Sequence, residues 1–350
     1  MADPTARFVL EPDDEYPHQP EAAPNYNESM YLNVFDHTRA HGGWFRLGNR
    51  VNEGYAEMSV CTYLADGRVG FMFGRPAISS NDAMDAGGLT IEVLEPLHRL
   101  RVTYAGKLCL LDHPEEMADP RTAFTTNPHV EATASLEFEG VSKVFGGSFD
   151  AGTAESGFAK AHYEQHVRAD GHITVGDEVM EMTGGLGLRD KSWGPRSWQS
   201  IDWYRWLPIA FGPDLGMTVS LRASGDHIHR GVGMVHHDGH YETFTGADIE
   251  TTWDRHGHPA TVRVDARTPS RRYEITGEVL SCIPLRHRRQ RDDGVTLQTR
   301  IAEGFTRFTL DGRVGYGMSE YLDQMIDGMP TGPDAAEGGD TGRVGTLIST

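Results

Sequence analysis

Apolar and polar residues alternate along most of this chain of 350 residues. Met58, Val60, Thr62 and Leu64 share one parity, as do Leu89, Ile91 and Val93, then Leu100, Val102 and Tyr104. Val262 and Val264, and later Phe305, Arg307 and Thr309, repeat the pattern. A period of two places side chains on alternate faces of a strand. Asp66-Gly67, Asp238-Gly239, Asp293-Gly294 and Asp311-Gly312 lie between such runs. Asp-Gly tolerates the positive φ that tight hairpins require. The reading is an all-β chain of antiparallel hairpins. Only a short turn around Pro114–Met117 and the stretch Tyr321–Ile326 read as helical.

The length suits two domains better than one core. LADGRVGFMF (64–73) and LDGRVGYGMS (310–319) echo one another, which is compatible with two related β-domains. The small residues at 145–156 place the boundary there, with one β-domain over 29–150 and another over 151–327. Residues 1–28 are acidic and Pro-rich, and 328–350 are rich in Gly, Asp and Thr, so both ends read as loose.

A net charge of −19 argues against nucleic acid or an anionic membrane as the main partner. The one basic run, Arg286-His287-Arg288-Arg289-Gln290-Arg291, meets Asp292 and Asp293 and reads as a solvated loop. Three scattered cysteines, Cys61, Cys109 and Cys282, form no disulfide framework. The N-terminus has no signal-peptide pattern, and no apolar run approaches the roughly 18 residues of a membrane span. A cytoplasmic protein without membrane insertion is expected, and a homodimer is one expected assembly.

Chemistry concentrates in GLGLRDKSWGPRSW (185–198) and the IDWYRW that follows. With unbroken alternation from 178, one face carries Met180, Met182, Gly184, Leu186, Leu188 and finally Asp190. A carboxyl group ending an apolar wall loses hydration and can hold a proton near neutrality. The other open reading pairs Asp190 with Lys191, Arg189 or Arg196 to fasten a loop. Trp193, Trp198, Trp203, Tyr204 and Trp206 are either core or the wall of an apolar pocket that steadies a developing cation. Upstream, Tyr163, Gln165 and Val167 share one face, while His162, Glu164, His166 and Arg168 share the other. Tyr163 and Gln165 suit either the orientation of a substrate oxygen or structural hydrogen bonds. Glu320 falls on a strand parity with Met318 and is a candidate second acid or base.

At these residues the chain resembles the AttH/CrtC-like proteins, lipocalin-like relatives of carotenoid 1,2-hydratase. Gln165, the glycines before Arg189-Asp190, and Ser192-Trp193-Gly194-Pro195-Arg196 carry the likeness. EGFTRFTLDGRVGYGMSEYL (303–322) and GGWFRLGNRVNEGYAEMSV (42–60) extend it. The resemblance implies two lipocalin-like β-barrels or sandwiches packed side by side. It also implies that Asp190 protonates an isoprenoid double bond, after which water captures the cation. Lys191 stands where the hydratase has His, which puts the partner base in doubt.

His227, His229, His236, His237, His240, His256 and His258 make the second half histidine-rich, but no carboxylate stands at a spacing that completes a metal site. Gly185-Leu186-Gly187 opens no helix and so no dinucleotide site. The expected activity is a lyase (hydratase or dehydratase) or isomerase without metal or cofactor, acting on a small hydrophobic substrate. That substrate would be isoprenoid, steroid-like or aromatic. Asp190, Lys191, Gln165 and Tyr163 would be the catalytic set. Trp193, Arg196, Trp198, Trp203, Tyr204, Trp206 and Glu320 would bind the substrate. The competing readings are a carrier of an apolar ligand and a cyclase or pericyclase.

Overall fold

A computed structural model of the protein describes residues 10–148, 158–224, 227–291 and 293–332. The chain forms two compact units. One comprises Met1–Leu111 with Thr126–Ser197, the other Asp112–Thr125 with Trp198–Thr350.

The first unit holds β1 (Tyr26–Asp36), β2 (His41–Arg50), β3 (Tyr55–Tyr63), β4 (Val69–Gly74), β5 (Met84–Ala86), β6 (Leu89–Glu95) and β7 (Arg99–Leu111). After an excursion into the second unit it continues with β8 (His129–Gly140), β9 (Phe145–Ser148), β10 (Ala161–Val175) and β11 (Glu178–Pro195). The strands pair in the order β4-β3-β2-β1-β11-β10-β8-β7-β6-β5, all antiparallel. Val69 to Phe71 also pair with Leu111 to Cys109, which joins β4 to β7 and closes a barrel.

The second unit holds β12 (Trp203–Gly212), β13 (Leu215–Ser224), β14 (His227–His237), β15 (His240–Thr243), β16 (Gly246–Trp253), β17 (Pro259–Arg267), β18 (Arg272–Gln290), β19 (Thr296–Leu310), β20 (Arg313–Ile326) and β21 (Met329–Pro330). Its order is β15-β14-β13-β12-β20-β19-β18-β17-β16, with β21 on β20. Both units are curled antiparallel sheets of the lipocalin-like kind.

The alternation seen in sequence builds these sheets. Along β8, Ala132, Ala134, Leu136 and Phe138 turn inward, while the residues between them face solvent. Each large apolar side chain buried this way contributes roughly 1.5–3 kcal/mol. The first core adds Met30, Leu32, Phe45, Val60, Val102 and Met180; the second is built from Leu207, Met217, Val219, Val264, Ile275 and Phe308. All four Asp-Gly pairs lie in turns, but at Asp66-Gly67 and Asp293-Gly294 only the glycine has positive φ. Asp311 and Gly312 have φ of 50° and 79°, and Asp238 and Gly239 of 48° and 77°. Both echoing segments are hairpin connections, β3–β4 through residues 64–68 and β19–β20 through the tighter Asp311-Gly312.

Several expectations need correction. The boundary near 150 falls inside the first unit, because β10 and β11 complete its sheet by pairing with β8 and β1. The motif at 185–196 therefore belongs to the first unit. Residues 10–28 are not loose: a 3-10 turn at Pro12–Glu15 buries Glu15, and β1 begins at Tyr26. Tyr321–Ile326 is the end of β20 rather than a helix, since Tyr321 and Leu322 pair in register with Ala302 and Ile301. The 3-10 turn Pro114–Ala118 meets its expectation; α1 (Pro120–Thr126) had no apolar period to reveal it. Residues 333–350 lie outside the described residues. Among the described residues no helix is long and apolar enough to cross a membrane.

One irregularity governs the site. From Val175 to Gly171, β10 pairs with 178–182 of β11, and from Ala169 onward it pairs with 185 and beyond. Two steps on β10 thus match three on β11. The extra residue is accommodated at Gly184, whose φ is +62°. This is a β-bulge, and it exchanges the faces of every later side chain. Met180 and Met182 point into the barrel before it, and Gly185, Gly187, Arg189, Lys191 and Trp193 follow on that inner face after it.

Candidate active site on the first unit

The bulge separates the residues that the sequence grouped together. Arg189 and Lys191 point inward, level with Gln165 and Tyr163 on β10. There they meet the segment before β1. The Arg189 Nη1–H donates to Glu15 Oε1 at 2.6 Å, and the Tyr163 hydroxyl donates to the same oxygen at 2.8 Å. Leu97 N–H donates to the other Glu15 oxygen at 2.7 Å. Arg189 Nε–H donates to Gln165 Oε1 at 2.7 Å, and the Gln165 amide donates to the carbonyls of Ser142 and Leu97. Burial pulls the Glu15 pKa upward, but the Arg189 charge and these hydrogen bonds override it and hold the carboxyl below its usual range.

Lys191 and Glu28 form the second half of this network; both side chains are 0% exposed, with Nζ and Oε1 2.6 Å apart. Nζ also donates to the carbonyls of Asp14 and Tyr16, at 2.7 and 2.9 Å. Burial draws Lys191 below the ordinary lysine value against the pull of Glu28. Three acceptors match the three N–H bonds of an ammonium, so the charged form is the one satisfied here. Glu28 is held below its usual range because hydrogen bonding to His18 and the Lys191 charge outweigh burial. His18 stacks on Trp193 with ring centroids 4.1 Å apart. Tyr163, Lys191 and Trp193 thus contact the N-terminal segment directly, and Gln165 does so through Arg189.

Asp190 faces the other way. Its side chain is 23% exposed rather than buried against Leu186 and Leu188, and its Oδ2 lies 3.1 Å from His162 Nε2. Glu164, the residue opposite Asp190 on β10, brings Oε1 within 3.8 Å of the same nitrogen. Burial works against a charged His162, but the Asp190 hydrogen bond and charge, with Glu164, raise its pKa above the ordinary histidine value. Across the sheet, Tyr31 stands opposite Asp190, and Arg46 stands opposite Tyr31. The neighbouring row is Leu188, Asn33, Trp44 and Cys61. Tyr31 and Trp44 have centroids 5.9 Å apart, and Trp44 and Phe71 6.2 Å. An acid–base pair therefore sits beside an aromatic strip made of Tyr31, Trp44 and Phe71.

That strip is not the one nominated from sequence. Trp193 is inside the first barrel, whereas Trp198, Trp203, Tyr204 and Trp206 belong to the second unit. Within that unit Trp203 joins the core and Trp198 lies beside His287. Tyr204 and Trp206 share the opposite face with Glu320, to which the Tyr204 hydroxyl donates. Arg196 donates to Ser192 Oγ and to the carbonyl of Phe158, and its guanidinium lies 4.3 Å from the Phe158 ring. The side chains of His227 and His229 lie outside the described residues. Among the described residues no group of three or more His, Cys, Asp or Glu is placed to hold a metal ion.

His162 and Glu164 escaped nomination although their shared face was legible. What the sequence lacked was the register that puts that face against Asp190. Glu15, Glu28 and His18 gave no signal, because one buried acid in an acidic, Pro-rich stretch looks like its neighbours.

No curated protein matches the chain in sequence. Among solved structures, kievitone hydratase from Nectria haematococca is similar over 90% of this chain and 95% of its own, with 10% identity and a TM-score of 0.51. An AttH-type protein from Nitrosomonas europaea is similar over 90% and 96%, with 12% identity and a TM-score of 0.48. At such identities the likeness is one of fold. The family described as a domain of unknown function, DUF7064, matches residues 11–325, and the chain belongs to it.

Proposed function

We propose that the protein is a cofactor-independent hydratase, dehydratase or isomerase that moves a proton to or from carbon in a hydrophobic substrate. The observation that carries this reading is the half-buried Asp190–His162 pair, with Glu164 beside it and aromatic rings alongside. In the forward direction the acid gives its proton to one carbon of a double bond. The π electrons form the new C–H bond and leave a cation on the other carbon. Water adds there, and its proton returns to the basic member of the pair. A general acid placed this way contributes roughly 10²–10⁴ in rate.

Two likenesses support the reading without fixing the substrate. The motif around Asp190 resembles that of the carotenoid hydratase, and the fold is similar to that of an enzyme named kievitone hydratase. Lys191 stands where the hydratase has His and faces the barrel interior, while His162 supports the reading by presenting an imidazole on the Asp190 face. An isoprenoid, steroid-like or aromatic substrate suits the rings of Tyr31 and Trp44. The carrier reading finds less support: the interior of the first barrel is filled by its own side chains, Met30, Leu32, Phe45 and Met182 among them.

The test incubates an apolar cell extract in D₂O with wild type, Asp190→Asn and His162→Gln, followed by mass spectrometry. Wild type should place deuterium in one compound, and both variants should lower that rate at least about 100-fold. Undiminished transfer by Asp190→Asn would end the proposal.

A further inference from the structure

The basic run that read as a loop is the end of β18, and its register gives it a meaning the sequence does not. Arg286 stands opposite Arg300 on β19, Arg300 opposite Asp323 on β20, and Asp323 opposite Trp203 on β12. Directly opposed residues share a face. This face is the inner one of the second unit, since Ala302 and Tyr321, one step along, belong to its core. Arg288 follows on the same side, opposite Gln298, whose side-chain oxygen accepts from Arg288 Nε. Like charges directly opposite one another destabilise a sheet, so Arg286 facing Arg300 is a costly arrangement as it stands.

The one carboxylate within the row is already shared. Asp323, 0% exposed, has one oxygen 3.0 Å from Arg205 and the other 3.1 Å from Arg300, and Gly332 N–H donates to the first. Among the described residues no other carboxylate makes an ion pair with Arg286, Arg288 or Arg300. Asp119 bears on Arg286 only at longer range, and burial with the Arg288 charge lowers the Arg286 pKa against it. Asp254, on the turn after β16, accepts from the backbone N–H groups of His256 and His258. Two buried donors flank this arrangement: Arg300 Nε and Trp253 Nε1 have no hydrogen-bond partner among the described residues. Trp253 is held there by ring contact with Tyr321 at 5.7 Å and lies 5.9 Å from the Arg205 guanidinium.

We propose that the Arg286–Arg300–Asp323 row is an oxyanion-binding site, recognising a carboxylate or phosphate group. An anion seated on it would separate the opposed arginines and take up the free Arg300 N–H. The guanidinium fork suits both ligand types, since each presents two oxygens to it. The site lies in a chain of net charge −19, so recognition depends on this local row and not on the overall field. It is independent of the Asp190 pair, which belongs to the other unit.

Isothermal titration calorimetry at constant ionic strength tests it, with sodium phosphate and sodium acetate added separately to the full chain. Wild type and Asp190→Asn should bind one of these anions saturably below about 10 mM. Saturation by phosphate alone identifies a phosphate ligand; saturation by acetate identifies a carboxylate. Arg286→Gln should weaken binding more than about tenfold. Arg300→Lys keeps a cation for Asp323 while removing the Nε donor, and should do the same. Circular dichroism confirms that both variants fold. No saturable heat from wild type with either anion, or undiminished binding by both variants, overturns the proposal.

Discussion

His162 lets the proposed chemistry be followed before a substrate is known. Its imidazole is 29% exposed and bonded to Asp190, so a nuclear magnetic resonance titration can observe it directly. The pKa should lie above 6.5 in wild type and fall below the wild-type value in Asp190→Asn, because Asp190 supplies the leading opposition to burial. A raised folded-state value makes the pair's small contribution to stability complete at low pH. That contribution is lost as pH rises through the folded-state pKa. An unchanged pKa in Asp190→Asn would show that the pair is not coupled in solution. On the reverse face, Lys191→Met leaves Glu28 buried without its cation. Such a change should cost about 3–5 kcal/mol in urea unfolding, and adding Glu28→Leu should recover most of it. A loss under about 1 kcal/mol would mean that the anchoring network contributes little.

At the scale of the strand, Gly184 decides which residues can act together. Its φ of +62° is a conformation that a side chain resists, so Gly184→Val should cost about 1–2 kcal/mol. The same chemical denaturation measures it, and a neutral result would mean that the bulge is held by other contacts. This position also explains what the sequence could and could not tell. Runs such as Met58–Val60 and Leu100–Val102–Tyr104 declared their strands, because a half-buried sheet needs that period. Asp311-Gly312 declared its turn, because few other pairs adopt positive φ twice. The phase change at 184 left no trace, since one glycine among Gly184, Gly185 and Gly187 is indistinguishable from the next. Unbroken alternation therefore sent Asp190 to the end of an apolar wall, whereas the bulged strand turns it toward His162. Leu186 and Leu188 were correctly placed on the Asp190 face; what failed was their continuity with Met180 and Met182.

Over the whole molecule, acid should act before the carboxylates titrate. Burial lowers His236 to about 4, with His237 adding to the effect, and burial lowers His37 to about 4. Unfolded histidines take up protons from about pH 6.5 downward. Those two remain neutral in the fold until about pH 4. Stability is therefore complete above this window and falls as pH drops through it. Fully buried His236 contributes up to about 3 kcal/mol of the loss. Urea midpoints measured from pH 7 to 4 should decline steadily, and His236→Phe should flatten the decline; equal slopes would remove His236 as its cause. Below about pH 4.5, protonation of Glu15 and Glu28, both held low in the fold, should continue the loss in the same direction.

The detour of residues 112–125 carries a consequence of another kind. The first unit is interrupted between Leu111 and Thr126 by a stretch that belongs to the second. The peptide chain therefore passes between the units at three places, after Leu111, after Thr125 and after Ser197. A single genetic crossover after Leu111 or after Ser197 divides one unit, and one after Thr125 divides both. No single crossover exchanges one unit whole while leaving the other untouched, which ties the inheritance of the two units together.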